Sequence, residues 1–170
     1  MKRIGLISDT HSHLDEAVFL HFKNCDEIWH AGDVGHVDIL NRLEAYKPLR
    51  VVYGNIDGKP VQLRSKENLH FELEGFHVWM THIGGAPPRY NPTVRPELRT
   101  ETPDIFVCGH SHILRVLRDP ALNNMLYLNP GAAGKEGFHK MRTLLRFSLD
   151  SGKIKAMEVV ELGLRGAIQL

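Results

Sequence analysis

Apolar and polar positions divide the chain into short blocks. The first, RIGLISD (Arg3 to Asp9), is an apolar run that ends in a carboxylate. A run of this length bounded by polar residues reads as a strand. Leu14, Ala17, Val18, His21 and Phe22 then recur at helical spacing, predicting a helix over Leu14 to Lys23. EIWHAGD (Glu27 to Asp33) is a second strand. VDILNRLEAY (Val37 to Tyr46) is a second amphipathic helix, ended by Lys47-Pro48. LRVVYGN supplies a third strand. Strand alternating with helix predicts a mainly parallel sheet with right-handed crossovers.

After this third of the chain the pattern changes. HFELEG and HVWMTHI alternate as two strands of a hairpin turning at Glu74-Gly75-Phe76. GGAPPRYNPTVRPE, rich in Gly and Pro, reads as a loop, with a short helix around Pro96 to Thr100. DIFVCGH is again a buried strand. LRVLRD and MLYLNPG are two more, joined by the turn residues PALNN. TLLRFSLDSGKIKAMEVVEL is a final hairpin turning at Asp150-Ser151-Gly152. Two mixed sheets packed face to face, with helices outside, satisfy both halves of the pattern. One sheet of this many strands would be strained. With 170 residues and neither repeat nor linker, a single domain over 1–170 is expected.

Composition narrows the class. The 42% hydrophobic and 24% charged residues suit an ordered globular chain. The net charge of +1, with Lys and Arg dispersed, argues against duplex nucleic acid as the partner. There is no basic, aromatic-rich stretch to track a single strand. No run approaches the ~20 apolar residues of a membrane span, and MKRIGLISDTHSH has too short an apolar run for a signal peptide. Cys25 and Cys108 sit in no paired motif, so a reducing, cytoplasmic compartment is expected. The apolar tail LGLRGAIQL could cover the domain itself or a second copy in a homodimer.

The chemistry lies just beyond the strand ends. Asp9, His11 and His13 come after the first strand, Gly32-Asp33 after the second, and Gly54-Asn55-Ile56-Asp57 after the third. Thr81-His82 and Gly109-His110-Ser111-His112 end two later strands. Each has an ordinary explanation by itself. Asp9 could cap a helix, Asp33 could belong to a turn, His82 to the core, and His110 and His112 to a surface loop. Five strands all ending in metal-ligand types is a different matter, because sites in α/β sheets form at the carboxyl ends of strands. Asp9, His11, Asp33, Asn55, His82, His110 and His112 offer seven donors. That is too many for one ion of the structural zinc kind and suits two ions bridged by a carboxylate. Oxygen and nitrogen ligands without sulfur suit Mn²⁺, Fe, Zn²⁺ or Ni²⁺. Two ions ~3.5–4 Å apart hold a bridging hydroxide and clamp both oxygens of an in-line displacement, which is phosphoester hydrolysis. A carboxamide at position 55 offers its oxygen to a metal and its NH₂ to a phosphoryl oxygen, and Gly54 allows close approach or a positive φ.

Taken in order, Asp9-x-His11, Gly32-Asp33, Gly54-Asn55, His82 and Gly109-His110-x-His112 resemble the calcineurin-like metallophosphoesterases. The form GNxD and the chain's small size are most similar to the compact phosphodiesterase branch that also contains the retromer-subunit relatives. NPGA (Asn129 to Ala132) matches a further feature of the family. Ile83 stands after Thr81-His82 where the family usually has glycine. The resemblance implies an α/β (α+β) fold, a four-layer αββα sandwich of two mixed β-sheets flanked by helices. It implies one metal at Asp9, His11, Asp33 and His112. Asp33 would bridge to a second metal held by Asn55, His82 and His110, and Mn²⁺ is the usual ion of the branch. The expected activity is a metal-dependent phosphodiesterase acting on small phosphoesters. The catalytic residues would be Asp33 and Asn55 and the nucleophile a metal-bridging hydroxide. The alternative is a weak or inactive interaction module on the same scaffold.

The residue after Gly-Asn, often histidine or cysteine in such proteins, is Ile56 here, which donates no proton. That favours aryl over alkyl esters. Arg89 and Arg95, in the loop after His82, are candidates for binding the phosphate. His13 is a candidate for touching substrate and His36 for lining the cleft. His30 reads as a core or supporting histidine, and Asp57 as a turn residue or a partner for a histidine.

Overall fold

The structure, a computed structural model, describes residues 1–166. Residues 167–170, which end the apolar tail expected to cover the domain or a second copy, lie outside the described residues. Two five-stranded sheets stack face to face. The first has the order β12-β11-β1-β2-β3, formed by Lys153–Leu164, Met141–Asp150, Lys2–Ile7, Glu27–His30 and Leu49–Val51. β1, β2 and β3 run parallel, and β11 is antiparallel to β1. The second sheet has the order β4-β5-β8-β10-β9, formed by Asn68–Leu73, Phe76–Thr81, Ile105–Val107, Met125–Pro130 and Leu114–Asp119. Both sheets are mixed, as the two-part pattern of the sequence requires.

The main core lies between the sheets. Ile4, Leu6 and Trp29 of the first meet Val78, Met80, Ile105 and Leu128 of the second. The outer face of the first sheet is covered by α1 (Ala17–His21) and α2 (Asp38–Tyr46), through Val18, Phe22, Leu40 and Leu43 against Ile7 and Ile28. On the far face of the second sheet, Val94 and Leu98 pack with Trp79, Phe106 and Tyr127, Leu98 coming from α4 (Arg95–Thr100). β1 and β2 are therefore apolar on both faces, which explains their unbroken apolar runs.

Several boundaries differ from the sequence reading. The first helix is a single turn or so, because Leu14 to Glu16 belong to the loop that follows His11 and His13. The first three strands stop before their predicted ends. β1 ends at Ile7 and β2 at His30, where the backbone turns away to form the site. The Gly/Pro-rich loop contains a small hairpin, β6 (Gly85–Ala86) with β7 (Arg89–Tyr90), and a turn of helix α3 (Lys59–Gln62) follows Asp57-Gly58. Both are too short to leave a periodic signal. Among the described residues, no helix is long and apolar enough to cross a membrane.

Candidate metal centre

The loops that follow β1, β2, β3, β5 and β8 meet at one end of the sandwich. The first two are hydrogen-bonded to each other beyond the strands. The amides of Asp9, His11 and Ser12 donate to the carbonyls of Gly32, Asp33 and Val34 at 2.9, 3.0 and 2.9 Å. The Gly109 amide donates to the His82 carbonyl at 3.0 Å, tying the β8 loop to the end of β5. Asp9, His11, Asp33, His110 and His112 all have positive φ, at 54°, 46°, 54°, 70° and 60°. Such values are uncommon for residues with a side chain and cost on the order of 1–3 kcal/mol each. All five lie beyond the strand ends, where left-handed turns replace extended backbone as the loops converge on one centre.

Asp9 is fully buried, and its two oxygens are treated differently. Oδ2 accepts from the Ser8 hydroxyl at 2.6 Å and from the His110 amide at 3.1 Å. Oδ1 has no hydrogen-bond partner. It faces His112 Nε2 at 3.2 Å and the Nε2 atoms of His11 and His82, both at 3.8 Å. Asp33 repeats the arrangement. Its Oδ1 accepts from the Ile56 amide at 3.1 Å, while Oδ2 lies between His11 Nε2 at 3.4 Å and His82 Nε2 at 3.2 Å. Asn55 Oδ1 is 3.0 Å from His110 Nδ1. The donor atoms gather into two groups, Asp9-His11-His112 and Asp33-His82-His110, each with its atoms within 4.8 Å of one another.

These contacts suit cations better than hydrogen bonds. His82 Nδ1 sits 2.7 Å from the Ala31 carbonyl, which can only accept, so Nδ1 carries the proton. In the neutral ring Nε2 is then a lone pair aimed at a carboxylate oxygen. Buried Asp9 Oδ1, His11 Nε2 and His82 Nε2 all lack a hydrogen-bond partner, and a buried unpaired polar atom is costly. Two divalent cations would satisfy all of them.

The charges respond accordingly. Burial pushes the Asp9 pKa up, but the His11 and His112 rings beside it outweigh that and hold the carboxyl ionised far below the usual range. Burial also opposes the ionisation of Asp33, and the His82 contact again prevails, lowering its pKa. The Asp9 carboxylate beside it raises the His11 pKa against a smaller burial effect. For His82, burial lowers the pKa, yet Asp33 and the charge of Asp9 together raise it.

A layer of supporting residues lies behind these donor atoms. His30 Nδ1 accepts from the Gly32 amide at 3.1 Å, so its proton is on Nε2. Nε2 donates to Thr10 Oγ1 at 3.0 Å, and the Thr10 hydroxyl donates to the Val34 carbonyl at 2.8 Å. This neutral relay braces the loops carrying His11 and Asp33. Burial pulls the His30 pKa from 6.5 down to about 4. Between these values the unfolded chain binds a proton that the folded chain refuses. The histidine therefore costs stability as pH falls through that window. In a pH titration followed by NMR, the His30 ring is expected to remain the neutral Nε2–H tautomer through pH 5. Protonation near 6.5 would contradict the relay.

Asp57 does not serve a histidine. Its carboxylate accepts from the amides of Val34, Gly35 and Gly54 at 3.1, 2.9 and 2.8 Å. It thus pins the Asp33 loop to the Asn55 loop. Asn129 Nδ2 donates to the Gly109 carbonyl at 3.0 Å and to Ser111 Oγ at 3.1 Å, which explains the NPGA segment as a brace for the His110–His112 loop. Sequence reasoning singled out neither Ser8 nor Thr10. Their only sequence signal is a hydroxyl on each side of Asp9 at the end of an apolar strand.

Other candidates lie elsewhere. His36 is exposed, and its Nδ1 accepts from the Asp38 amide at 3.1 Å, at the start of α2. His13 is half-buried and in neither donor group. Burial, with Lys135 and Arg142 nearby, lowers its pKa. Arg89 and Arg95 line a separate cavity of about 570 Å³ with Tyr90 and Arg99, and none of the seven donors is in that lining.

Comparison with known proteins agrees with this geometry. Residues 1–152 match the calcineurin-like phosphoesterase superfamily domain. The chain belongs to that family. It is 37% identical over 137 residues to a probable metallophosphoesterase of Methanothermobacter thermautotrophicus, covering 76% of each chain. Among solved structures it resembles a novel archaeal phosphodiesterase with a TM-score of 0.77 at 19% identity, covering 94% of this chain and 99% of that one. It also resembles Vps29 of Entamoeba histolytica, solved with Zn²⁺, with a TM-score of 0.67 at 18% identity, covering 94% and 98%. The two structural likenesses, at such identities, speak for the fold. The family is metal-dependent, and the donor groups above fit that chemistry.

Proposed function

We propose that the chain is a dinuclear metal-dependent phosphodiesterase of the cytoplasm, acting on small phosphoesters. The observation that carries this reading is the position of Asp33 Oδ2, between His11 Nε2 at 3.4 Å and His82 Nε2 at 3.2 Å. One carboxylate oxygen shared by two donor groups is what a bridging ligand requires. When bound, two divalent ions, Mn²⁺ by analogy with the branch, would supply an activated water and neutralise charge on the phosphoryl oxygens.

The chain's own groups set the rest. Asp9, His11, Asp33 and His112 would hold one ion, and Asp33, Asn55, His82 and His110 the other. Ser8 and the His110 amide fix one oxygen of Asp9, and the Ile56 amide fixes one oxygen of Asp33, so that the remaining oxygens stay aimed inward. Asn55 is exposed at the mouth of the site, where its NH₂ is free to donate to a phosphoryl oxygen. Ile56, 47% exposed beside it, can give no proton to the leaving alkoxide. Both cysteines, Cys25 and Cys108, are free and buried, which suits a reducing compartment.

Protein stripped of metal and reconstituted with Mn²⁺ is expected to hydrolyse bis(p-nitrophenyl) phosphate faster than p-nitrophenyl phosphate. Asn55→Ala and His82→Ala should each lose at least ~10²-fold and bind fewer ions by elemental analysis. Two ions per chain with no diester turnover would instead support the interaction-module reading. General acid help contributes 10²–10⁴-fold where it exists. Without it, rates across a series of substituted aryl diesters should fall steeply as the leaving phenol becomes more basic. A flat series would mean that another group donates the proton.

A further inference from the structure

A cavity of about 490 Å³ opens directly beside the metal donors, between the His110–Ile113 loop and the Gly137–His139 loop. We propose that this cavity receives a neutral aromatic arm of the phosphoester, held between Ile113 and Phe138 while the phosphoryl group sits at the donor cluster. The proposal rests on the phosphoesterase reading and adds to it the kind of ester the site selects.

The first support is an apolar surface that folding leaves uncovered. Phe138 is fully exposed, at 102%, Ile113 is 53% exposed and Ile56 is 47% exposed. Ile56 follows Asn55 and Ile113 follows His112. Phe138 lines the same cavity as His110 and His112. Ile113 and Phe138 thus line the cavity beside His110 and His112, and Ile56 adjoins Asn55 in sequence. Scattered exposed hydrophobics need no explanation, but a group of them at one site marks a binding surface.

The second support is that Phe138 does not sit on a free flap. Gly137 has φ +123°, and a Cβ there would lie 2.2 Å from His112 Nδ1, so its main chain is seated on a ligand ring. The next residue on the other side, His139, packs edge-on against His112 with ring centroids 5.1 Å apart. His139 Nε2 donates to the Gly134 carbonyl at 2.8 Å. Phe138 is therefore carried between two residues that are both packed on His112. Its exposed ring borders the space next to the metal donors.

The third support is the chemistry of the lining. It contains one aromatic and one branched aliphatic wall, with Ser111 and histidines as its polar groups. It has no Asp, Glu, Lys or Arg. A charged arm, such as a second phosphate or a carboxylate, would find no counter-ion there. A planar neutral ring would find an aromatic partner and an apolar floor. The cavity is continuous with the donor cluster through His110 and His112, so an arm attached to the phosphorus can reach it.

The test uses two non-hydrolysable anions that differ only in the arm. Phenylphosphonate and methylphosphonate are titrated into the Mn²⁺-reconstituted chain by calorimetry. Wild type is expected to bind phenylphosphonate about tenfold more tightly, a difference that partial burial of one ring can supply. In Phe138→Ala, which removes an exposed side chain and should fold normally, the ratio should fall to within about twofold. Ile113→Ser should reduce it in the same direction. Equal affinities in wild type, or a ratio that survives both substitutions, overturn the aromatic arm and leave the phosphoester reading standing. In that case the apolar rim serves a macromolecular partner. Failure of both phosphonates to bind overturns the phosphoester reading and the arm with it.

Discussion

On the proposed reading, Gly54→Ala is expected to abolish diester hydrolysis and to empty at least one of the two proposed metal positions. A Cβ at residue 54 would lie 2.0 Å from Asp33 Oδ1, 2.5 Å from the Asp33 amide nitrogen and 2.8 Å from Asp33 Cγ. No rotamer change relieves this, because one of the clashing atoms is backbone and the carboxylate is also held by the Ile56 amide. Asp33 must move, and its Oδ2 lies between His11 Nε2 and His82 Nε2, where the proposed reading needs a bridging oxygen. A displacement near 1 Å at a reacting centre costs on the order of 10² in rate, and loss of a shared ligand costs more. Metal content measured by elemental analysis should fall from two ions per chain to one or none. Gly58→Ala is the control. Gly58 has φ −85°, and the only neighbour its Cβ would meet is Pro60 Cδ at 3.8 Å. A Gly54→Ala protein that retains both ions and full turnover would show that Asp33 is not shared.

Asp57→Ala should produce the largest loss of stability of any single change near the centre. The side chain is buried, at 4% exposure, and three amides donate to it. Alanine leaves all three without an acceptor. Each buried amide left unpaired costs about 1–3 kcal/mol, and water entering the gap would recover part of that. A net loss of about 3 kcal/mol or more is expected in urea unfolding of the metal-free chain. Asp57→Asn should be milder, since its oxygen can still accept while its NH₂ faces an amide donor. The two loops joined by Asp57 carry Asp33 and Asn55, so weaker metal binding should accompany the loss. A change below about 1 kcal/mol would mean that the loops are held by other contacts.

The residues gathered at the candidate centre stand out in the sequence because each sits just beyond a short apolar run. Such runs are local signals: strand length and burial on both faces show in a few consecutive residues. The sheet then brings strand ends together whatever the loops contain, which is why Asp9, Asp33 and His110 could be grouped before any contact was known. The supporting residues left no comparable mark. His30 is one letter inside a buried strand, and nothing local shows that it links Gly32 to Thr10. Asp57 looked like half of an Asp-Gly turn, and its three amide donors come from residues 34, 35 and 54. Arg89 and Arg95 follow His82 closely in sequence, yet Arg89 in β7 and Arg95 at the start of α4 line a different cavity. Proximity along a chain says little once the backbone turns.

The two-sheet architecture, the candidate donor set and the lack of a proton donor at Ile56 are thus written in the order of residues. They follow from periodicity and side-chain chemistry, which need no coordinates. How the donors are aimed is settled in three dimensions. Left-handed turns at five of them, one tethered and one open oxygen on each of Asp9 and Asp33, and a glycine packed against the Asp33 carboxylate are the means. Each depends on main-chain groups from a distant loop arriving within hydrogen-bond range. That arrival is a property of the packed sandwich, and no short stretch of the chain contains it.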